Sequence, residues 1–238
     1  MKLSYHELNT KSAQNSSRLR EAVFGLGDGV VSTLGAVTGI SVGTGSKFVV
    51  LLSGLVVIAV ESLSMAAGTY LSSKSERELL ERYLEEEKWQ IKNHPEQEEE
   101  ELKEIYTKKG FTKKEVDIIV ARLMKNPAVM LEEMAYHELK IISENLEQPS
   151  SNALIMGVSY ILGGVIPLSA YFIFGLSNAL WVSIVLSVIV LFAVGAYKTK
   201  LTHKNPWKSG FEMMSVSLGA ALIGYAIAKL AGVYVPMI

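Results

Sequence analysis

The chain has 238 residues, of which 49% are hydrophobic and 20% are charged, and it carries a net charge of -1. Because 19 of its 24 acidic residues lie between Glu76 and Glu147, this net charge averages an apolar part and a charged, water-facing part. The absence of cysteine excludes disulfides, thiolate metal sites and cysteine nucleophiles, and no basic stripe supports nucleic-acid binding.

The first part of the chain predicts a polar tail followed by a membrane span. Residues 1–20 are polar and are expected to form a flexible tail or a short surface helix. Residues 22–45 are apolar and rich in glycine, with small residues spaced so that helices can approach closely in lipid. A dinucleotide-binding loop at residues 25–29 is the weaker interpretation, because the glycine spacing is wrong and no strand precedes it. The repeated glycines are Gly25, Gly29, Gly35, Gly39 and Gly43.

The stretch from Val49 to Lys92 predicts one long helix that leaves the membrane and continues into water. A tight turn at residues 43–48 precedes it. Its first half, VVLLSGLVVIAVESLSMAAGTYL, is long enough to cross a bilayer, which takes about 20 apolar residues. Its second half is acidic and amphipathic, and no proline separates the two halves.

Residues 71–150 are predicted to form a small helical module that faces water. Asn93-His94-Pro95 breaks the long helix, and further helices are expected at about 96–109, 112–125 and 126–146, with Gly110 as a C-cap. Thr112 and Glu115 have the spacing of a capping box.

Three more apolar blocks follow, at residues 152–174, 178–197 and 210–230, and the first contains Pro167, which suggests a kink. The sequence therefore predicts an all-α membrane protein with five transmembrane helices plus a cytoplasmic helical module. The predicted boundaries are 1–20 for the tail, 21–70 for spans one and two, 71–150 for the module and 151–238 for spans three to five.

Lysine and arginine are concentrated before span one and between spans four and five, where the turn carries Lys198, Lys200, Lys204 and Lys208. This bias predicts that the N-terminus and the acidic module face the cytoplasm and that the C-terminus faces out. With no organellar targeting segment recognised, a prokaryotic cell membrane is the expected location.

The carboxylates within or at the edge of the predicted spans are the main functional signal. Asp28 and Glu61 lie in spans one and two, and Glu212 lies at the start of span five. With no deeply buried basic residue to neutralise them, a cation or a proton is the favoured partner, although a structural hydrogen-bonding role stays open. Glu212 could equally be an interfacial residue paired with Lys208.

The ligand chemistry favours a divalent transition metal. Glu61 and Met65 lie four residues apart on one helix face, and Met134 and Glu138 repeat this spacing in the module. Carboxylates suit hard divalent cations and a thioether adds preference for softer ones such as Fe(II). The alternatives are a plain apolar core for the methionines and a solvated acidic face for the glutamates. The facing acidic positions of the module are Glu87, Glu98 and Glu101.

Enzyme motifs fail on inspection. His6-Glu7 and His137-Glu138 each begin a zincin-like pattern, but the position that needs the second histidine holds Thr10 and Ile141. No nucleophile elbow and no P-loop is present. A membrane enzyme is therefore the least favoured class.

Four segments together resemble the vacuolar iron transporter family of Fe(II)/Mn(II) transporters: LREAVFGLGDGVVSTLGAVTGI, ESLSMAAGTYLSSKSERE, KNPAVMLEEMAYHEL and YILGGVIPL. The resemblance covers the chain after residue 18. It implies five spans, a homodimer with the ion pathway between the two copies, and proton-coupled export of Fe(II) from the cytoplasm.

The resemblance also implies site residues, carried over position by position. Asp28 and Met65 match the intramembrane pathway, with Glu61 as its carboxylate one turn away; Glu87, Glu98, Glu101, Met134 and Glu138 match the metal-binding positions of the module. The chain departs from the family pattern at Val57, Gln90 and Ala135, where a carboxylate, a glutamate and a second methionine are expected. Gln90 and Ala135 suggest a module that binds fewer ions or binds them more weakly, whereas the pathway is expected to survive a one-turn shift of its carboxylate on the same helix face.

The function predicted from the sequence is a proton-coupled antiporter for Fe(II), with Mn(II) or another divalent transition metal as a second substrate. Its expected partners are metal ions, protons, the lipid bilayer and a second copy of the chain, without a resident cofactor or nucleic acid. The alternative is a membrane-anchored metal-binding or sensing protein without transport.

Overall fold

The computed structural model describes residues 5–137 and 148–234, with all of their side chains except those of residues 5–15, 201–202, 217 and 232–234. Within these ranges the regular structure is entirely α-helical. In chain order the helices are α1 Tyr5–Thr44, α2 Lys47–Asn93, α3 Pro95–Lys108, α4 Lys113–Leu123, α5 Pro127–His137, α6 Pro149–Ile173, α7 Leu176–Thr202 and α8 Pro206–Tyr234.

Five of these helices, α1, α2, α6, α7 and α8, are long and apolar enough to cross a membrane. The five predicted spans are confirmed. The spanning parts run over Ser16–Thr44, Lys47–Asn93, Pro149–Ile173, Leu176–Lys200 and Pro206–Ala231, and α2 continues well beyond the length that a bilayer needs. We therefore treat the chain as a multi-pass membrane protein.

Residues 5–20, predicted to form a flexible tail or a short surface helix, are helical and continuous with span one. A single helix begins at Tyr5 and runs through the polar residues to Thr44. The first glycine of the chain is Gly25 and no proline precedes it, so nothing in the backbone chemistry ends the helix as the chain changes from polar to apolar. It ends at the predicted turn, where Gly45 has a φ of 59° and α2 begins two residues later.

The chain divides into two compact units. The larger unit comprises residues 15–71 and 149–238, and the smaller comprises residues 1–14 and 72–148. In the larger unit, Gly25 and Gly29 of α1 lie against Met156 and Tyr160 of α6, and Gly35 and Gly39 lie against Ala220 and Gly224 of α8. Residue numbers rise together in both pairs, so α1, α6 and α8 run in the same direction.

Helix α2 runs in the opposite direction to α6, because Gly54 lies beside Leu168 and Ala66 lies beside Gly157. Helix α7 returns antiparallel to α8, since Gly195 contacts Ser209 across the turn that joins the two helices. Pro167 lies inside α6, where Ser183 Oγ donates a hydrogen bond to its carbonyl oxygen over 2.9 Å. The turn between α7 and α8 and the membrane entry of α1 therefore lie at the same end of the helices.

The smaller unit packs α3, α4, α5 and the end of α2 around one hydrophobic core. Thr112 and Glu115 form the predicted capping box at the start of α4, and Gly110, with a φ of 92°, follows the end of α3 as the predicted cap. The last predicted helix is described as far as His137 only. The core side chains are Ile91, Leu102, Val116, Val120, Met130 and Met134.

Candidate metal sites

The structure places the two predicted intramembrane carboxylates within electrostatic reach of each other. Asp28 on α1 is partly buried, and the charge of Glu61 on α2 is close enough to act on it. Met65, one turn along α2 from Glu61, is also partly buried. The three residues predicted to form the pathway are thus contributed by the first two spans, with the two carboxylates as neighbours.

Tyr160 on α6 is a member of this site that the sequence analysis did not single out. Its side chain is fully buried, and both Asp28 and Glu61 act on its hydroxyl electrostatically. Tyr160 is the first residue of the segment YILGGVIPL, so a signal was present. Tyr160 was not included because only carboxylates were considered as ionisable residues within the spans.

A chain of hydrogen bonds connects Tyr160 to the backbone beside Asp28. Ser32 Oγ donates to the carbonyl oxygen of Asp28 over 2.7 Å and lies 2.5 Å from the hydroxyl oxygen of Tyr160. A serine hydroxyl has one proton to donate. If that proton is directed to the carbonyl of Asp28, Tyr160 is the donor in its contact with Ser32; either hydroxyl can donate in that contact.

No described lysine or arginine forms an ion pair with Asp28 or Glu61. Glu61 is moreover exposed at the surface of the single chain, on a part of α2 where Val60 and Leu63 are 59% and 72% exposed. A carboxylate at this depth is expensive in contact with lipid. The site therefore lacks its counter-charge within the part of the chain that the structure describes.

The glycines of α1 position Asp28 by allowing backbones to touch. A Cβ on Gly29 would lie 2.2 Å from the carbonyl oxygen of Tyr160, and one on Gly163 would lie 2.3 Å from that of Leu26. The glycines beyond residue 34 face α8 in the same way. The small-residue spacing of span one is thus used for packing within one chain, so it gives no separate argument for a dimer.

Glu212 does not join this site as an ion-paired residue. It is exposed near the start of α8, and the predicted pair with Lys208 is absent from the ion pairs of the described residues. Its neighbour Met213 approaches α1, with Cε 3.4 Å from the position of a Cβ on Gly27.

In the smaller unit, Glu87 of α2 and Glu98 of α3 are buried together, with 3% of each exposed. Their side chains share a hydrogen bond. Burial raises the pKa of Glu98, and the charge of Glu101 one turn away raises it further, while the hydrogen bond with Glu87 works in the opposite direction. Two of the predicted module ligands, Glu87 and Glu98, are therefore in contact, and the charge of a third, Glu101, acts on Glu98.

The other two predicted module ligands are Met134 and Glu138. Met134 is fully buried in the hydrophobic core beside Leu102 and Met130, and Glu138 lies outside the described residues. Across the residues that are described, no group of three His, Asp or Glu side chains has the arrangement of a metal site. Gln90 is exposed and Ala135 is buried, so neither replaces the ligand that the family pattern leads one to expect.

A second polar cluster connects α3 to α5. The hydroxyl of Tyr106 donates to Glu133, whose Oε1 is also 2.9 Å from His137 Nε2. Lys109 Nζ lies 2.6 Å from the same nitrogen of His137 and 4.7 Å from the centre of the Tyr106 ring. Burial and the bond to Glu133 raise the pKa of Tyr106, so this phenol stays a hydrogen-bond donor.

Replacing Glu98 with glutamine is expected to stabilise the metal-free module at neutral pH. A raised pKa means that the folded module binds this proton more tightly than the unfolded chain does, so the free energy of unfolding falls as pH rises above the ordinary value of 4.5. Glutamine has no charge to bury. Amide hydrogen exchange in α3 should therefore slow in E98Q at pH 7.5, with a smaller difference near pH 5.

The exposed Glu100 on the same helix provides the matched control, and E100Q should leave these exchange rates within about twofold of wild type, as for most surface substitutions. Faster exchange in E98Q than in wild type at pH 7.5 would contradict this account of Glu98.

With this geometry described, comparison with known proteins identifies the family. The family model described as the VIT family matches residues 19–229, which includes all five spans and the module.

The chain belongs to the VIT family.

Its similar relatives include vacuolar iron transporter 1 of Arabidopsis thaliana, 30% identical over 212 residues that cover 89% of this chain and 85% of the relative. The vacuolar iron transporter of Toxoplasma gondii is 29% identical over 241 residues, covering 95% of this chain and 80% of the relative. That of Plasmodium falciparum is 26% identical over 240 residues, covering 94% and 86%. The predicted family is thus confirmed. These relatives are eukaryotic proteins named for the vacuole, so they give no support to a prokaryotic cell membrane.

Proposed function

We propose that this VIT family member is a homodimeric antiporter that moves Fe(II) out of the cytoplasm in exchange for protons. Mn(II) is the second candidate substrate. The observation that carries this proposal is the pair Asp28 and Glu61, neighbouring carboxylates within the spans for which the described residues provide no cation. The similarity to proteins named iron transporters supports metal as the cargo.

The same pair gives a physical reason for proton coupling. Two carboxylates at close range in a region of low dielectric cannot both remain charged without a cation. A divalent metal satisfies both charges, and a proton on either group relieves the repulsion when the metal leaves. Metal and protons therefore compete for one site, which is the requirement for their exchange.

In this proposal Met65 contributes metal selectivity, and Tyr160 contributes a hydroxyl oxygen in a fixed position. The thioether of Met65, one turn from Glu61, favours Fe(II) over the harder Mg²⁺ and Ca²⁺. The hydrogen bond between the hydroxyls of Tyr160 and Ser32 holds the Tyr160 oxygen within electrostatic reach of the two carboxylates. A metal ion bound here would lose most of its coordinated water, because oxygen atoms of the protein replace the water ligands.

The dimer rests on the exposed position of Glu61. Only 22% of the most apolar stretch of α2 is buried by the chain itself, and a lipid-facing carboxylate at this position is costly. A second copy of α2 across a two-fold axis would cover Glu61 and the apolar stretch around it. It would also duplicate the Asp28 and Glu61 pair around one central pathway.

The acidic module has the role of collecting metal for the pathway or of sensing the cytoplasmic metal load. A bound divalent cation would neutralise the buried carboxylates of Glu87 and Glu98, and any proton that Glu98 holds would leave as the metal binds. In this arrangement the N-terminus and module face the cytoplasm and the C-terminus faces out. The lysines at the α7–α8 turn support that orientation, and a prokaryotic cell membrane stays the proposed location.

The second candidate function is a membrane-anchored metal-binding or sensing protein, which the buried pair Glu87 and Glu98 favours. Anaerobic measurement of Fe(II) uptake into proteoliposomes, alongside equilibrium binding to the same purified protein, separates the two. Time-dependent accumulation inside the vesicles supports the transporter. Saturable binding to the protein without accumulation in the lumen would establish the binding protein instead.

A further inference from the structure

The turn between α7 and α8 concentrates positive charge at the end of two spans. Residues 198–208 include four lysines and one histidine and no aspartate or glutamate. Lys200, Lys204 and Lys208 are exposed, and His203 ends α7 in the left-handed conformation, with a φ of 51°. The charges therefore lie on a short, ordered turn between two helices.

The ion pairs of the described residues lie mostly in the smaller unit. There, basic side chains pair with glutamates four residues away, as in Arg77–Glu81 at 2.7 Å and Arg82–Glu86 at 2.8 Å. None of the ion pairs among the described residues includes Lys200, Lys204 or Lys208. Among the described residues, the charges of these three lysines are therefore not neutralised by a carboxylate.

An aromatic cluster lies beside the lysines. The ring of Phe192 on α7 is 5.6 Å from that of Trp207 and 5.5 Å from that of Phe211 on α8. Trp207 and Phe211 are 66% and 51% exposed, and the exposed Tyr197 ring lies 5.3 Å from Lys200 Nζ. Exposed tryptophan and tyrosine at the end of a span are typical of the headgroup level of a bilayer. This arrangement puts the lysines at the depth of lipid phosphates.

We propose that the α7–α8 turn is a binding surface for anionic phospholipid, in which Lys200, Lys204 and Lys208 hold the phosphate groups and the cluster of Phe192, Trp207 and Phe211 contacts the upper acyl chains. Charge complementarity favours an anionic lipid, because a zwitterionic headgroup carries its own cation, which neutralises the charge of its phosphate. The inference needs only that the chain spans a membrane, so it stands independently of metal transport.

The expected strength follows from the field of an anionic surface. Each lysine near such a surface contributes about 1 kcal/mol, or roughly fivefold in affinity. Removing two of the three lysines should therefore lower the preference for anionic over zwitterionic lipid by about 25-fold. The preference should also weaken as ionic strength rises, because exposed charges are screened.

Native mass spectrometry of the detergent-purified chain tests this directly. The protein is mixed with equal amounts of phosphatidylglycerol and phosphatidylcholine of the same acyl composition, and the bound lipids are counted for wild type and for K204Q/K208Q. Wild type should retain mainly phosphatidylglycerol, and the variant should lose that preference. Lysines near a span also influence the orientation in which a chain inserts into a membrane, but no insertion takes place in detergent. The result therefore reports lipid binding.

Two variants make the result interpretable. K113Q/K114Q removes the same charge from exposed positions at the start of α4 and should keep the preference, and K204R/K208R should keep it as well. An equal loss in K113Q/K114Q would overturn the proposal, as would an unchanged preference in K204Q/K208Q. Displacement of the lipid by millimolar inorganic phosphate would show a free-phosphate site instead and would also overturn it.

Discussion

Metal flux is expected to disappear when Asp28 is replaced with asparagine. The change keeps the shape of the side chain and removes one of the two charges that Asp28 and Glu61 direct at a dehydrated divalent cation. Loss of one partner from a buried ionic contact costs about 3 kcal/mol or more, which corresponds to at least about a hundredfold in metal affinity at this site. Initial Fe(II) uptake into proteoliposomes under a pH gradient measures the effect.

Asp117 provides a matched control for this experiment, because it is exposed on α4 in the smaller unit and D117N makes the same chemical change there. D117N should transport at the wild-type rate. The buried carboxylates of the module are untouched in D28N, so that variant should still bind metal at equilibrium. Normal flux in D28N would remove Asp28 from the pathway and with it the main argument for transport.

Replacing Gly29 with alanine is expected to disrupt both stability and transport. The new Cβ would lie 2.2 Å from the carbonyl oxygen of Tyr160 and 3.0 Å from the amide nitrogen of Gly164. Both are backbone atoms, which cannot rotate away, so α1 and α6 must separate. Overpacking of this kind costs about 1–3 kcal/mol and occasionally more, and the separation stretches the hydrogen bond between Ser32 and Tyr160 one turn further along α1.

Gly68 on α2 is the control, because a Cβ there meets no atom within 4 Å. G68A should be at least as stable as wild type, since alanine is favoured over glycine inside a helix by up to about 1 kcal/mol. Thermal unfolding of both purified variants, with Fe(II) uptake beside it, measures the difference. An unfolding temperature for G29A equal to that of G68A would show that α1 and α6 are not held at this contact.

The fold could be predicted largely from the lengths of the apolar segments and from local capping and turn residues. Five apolar segments of sufficient length predicted five spans, and the spacing of Thr112 and Glu115 predicted a capping box that the structure contains. The prediction divided a polar tail from span one at a change of polarity. The stretch from Tyr5 to Phe24 has no glycine or proline, and one helix continues through it into the span.

The candidate site was predictable only in part. Asp28 and Glu61 are conspicuous because charge within a span is rare, but their proximity depends on how α1 and α2 pack. The role of Tyr160 depends on a contact 128 residues away in sequence, which periodicity within one helix does not reveal. The glycines of α1 were read correctly as points of close approach, whereas their partners, α6 and α8 of the same chain, follow from tertiary packing alone.

The most direct test of the central claim is simultaneous measurement of metal and proton movement in the same proteoliposomes. With Fe(II) outside and an acidic lumen, we expect Fe(II) to enter against its own concentration gradient while the lumen becomes more alkaline, and we expect both signals to vanish in D28N. Fe(II) entry that stops at equal concentrations on the two sides, with no proton movement, would contradict exchange at the Asp28 and Glu61 pair.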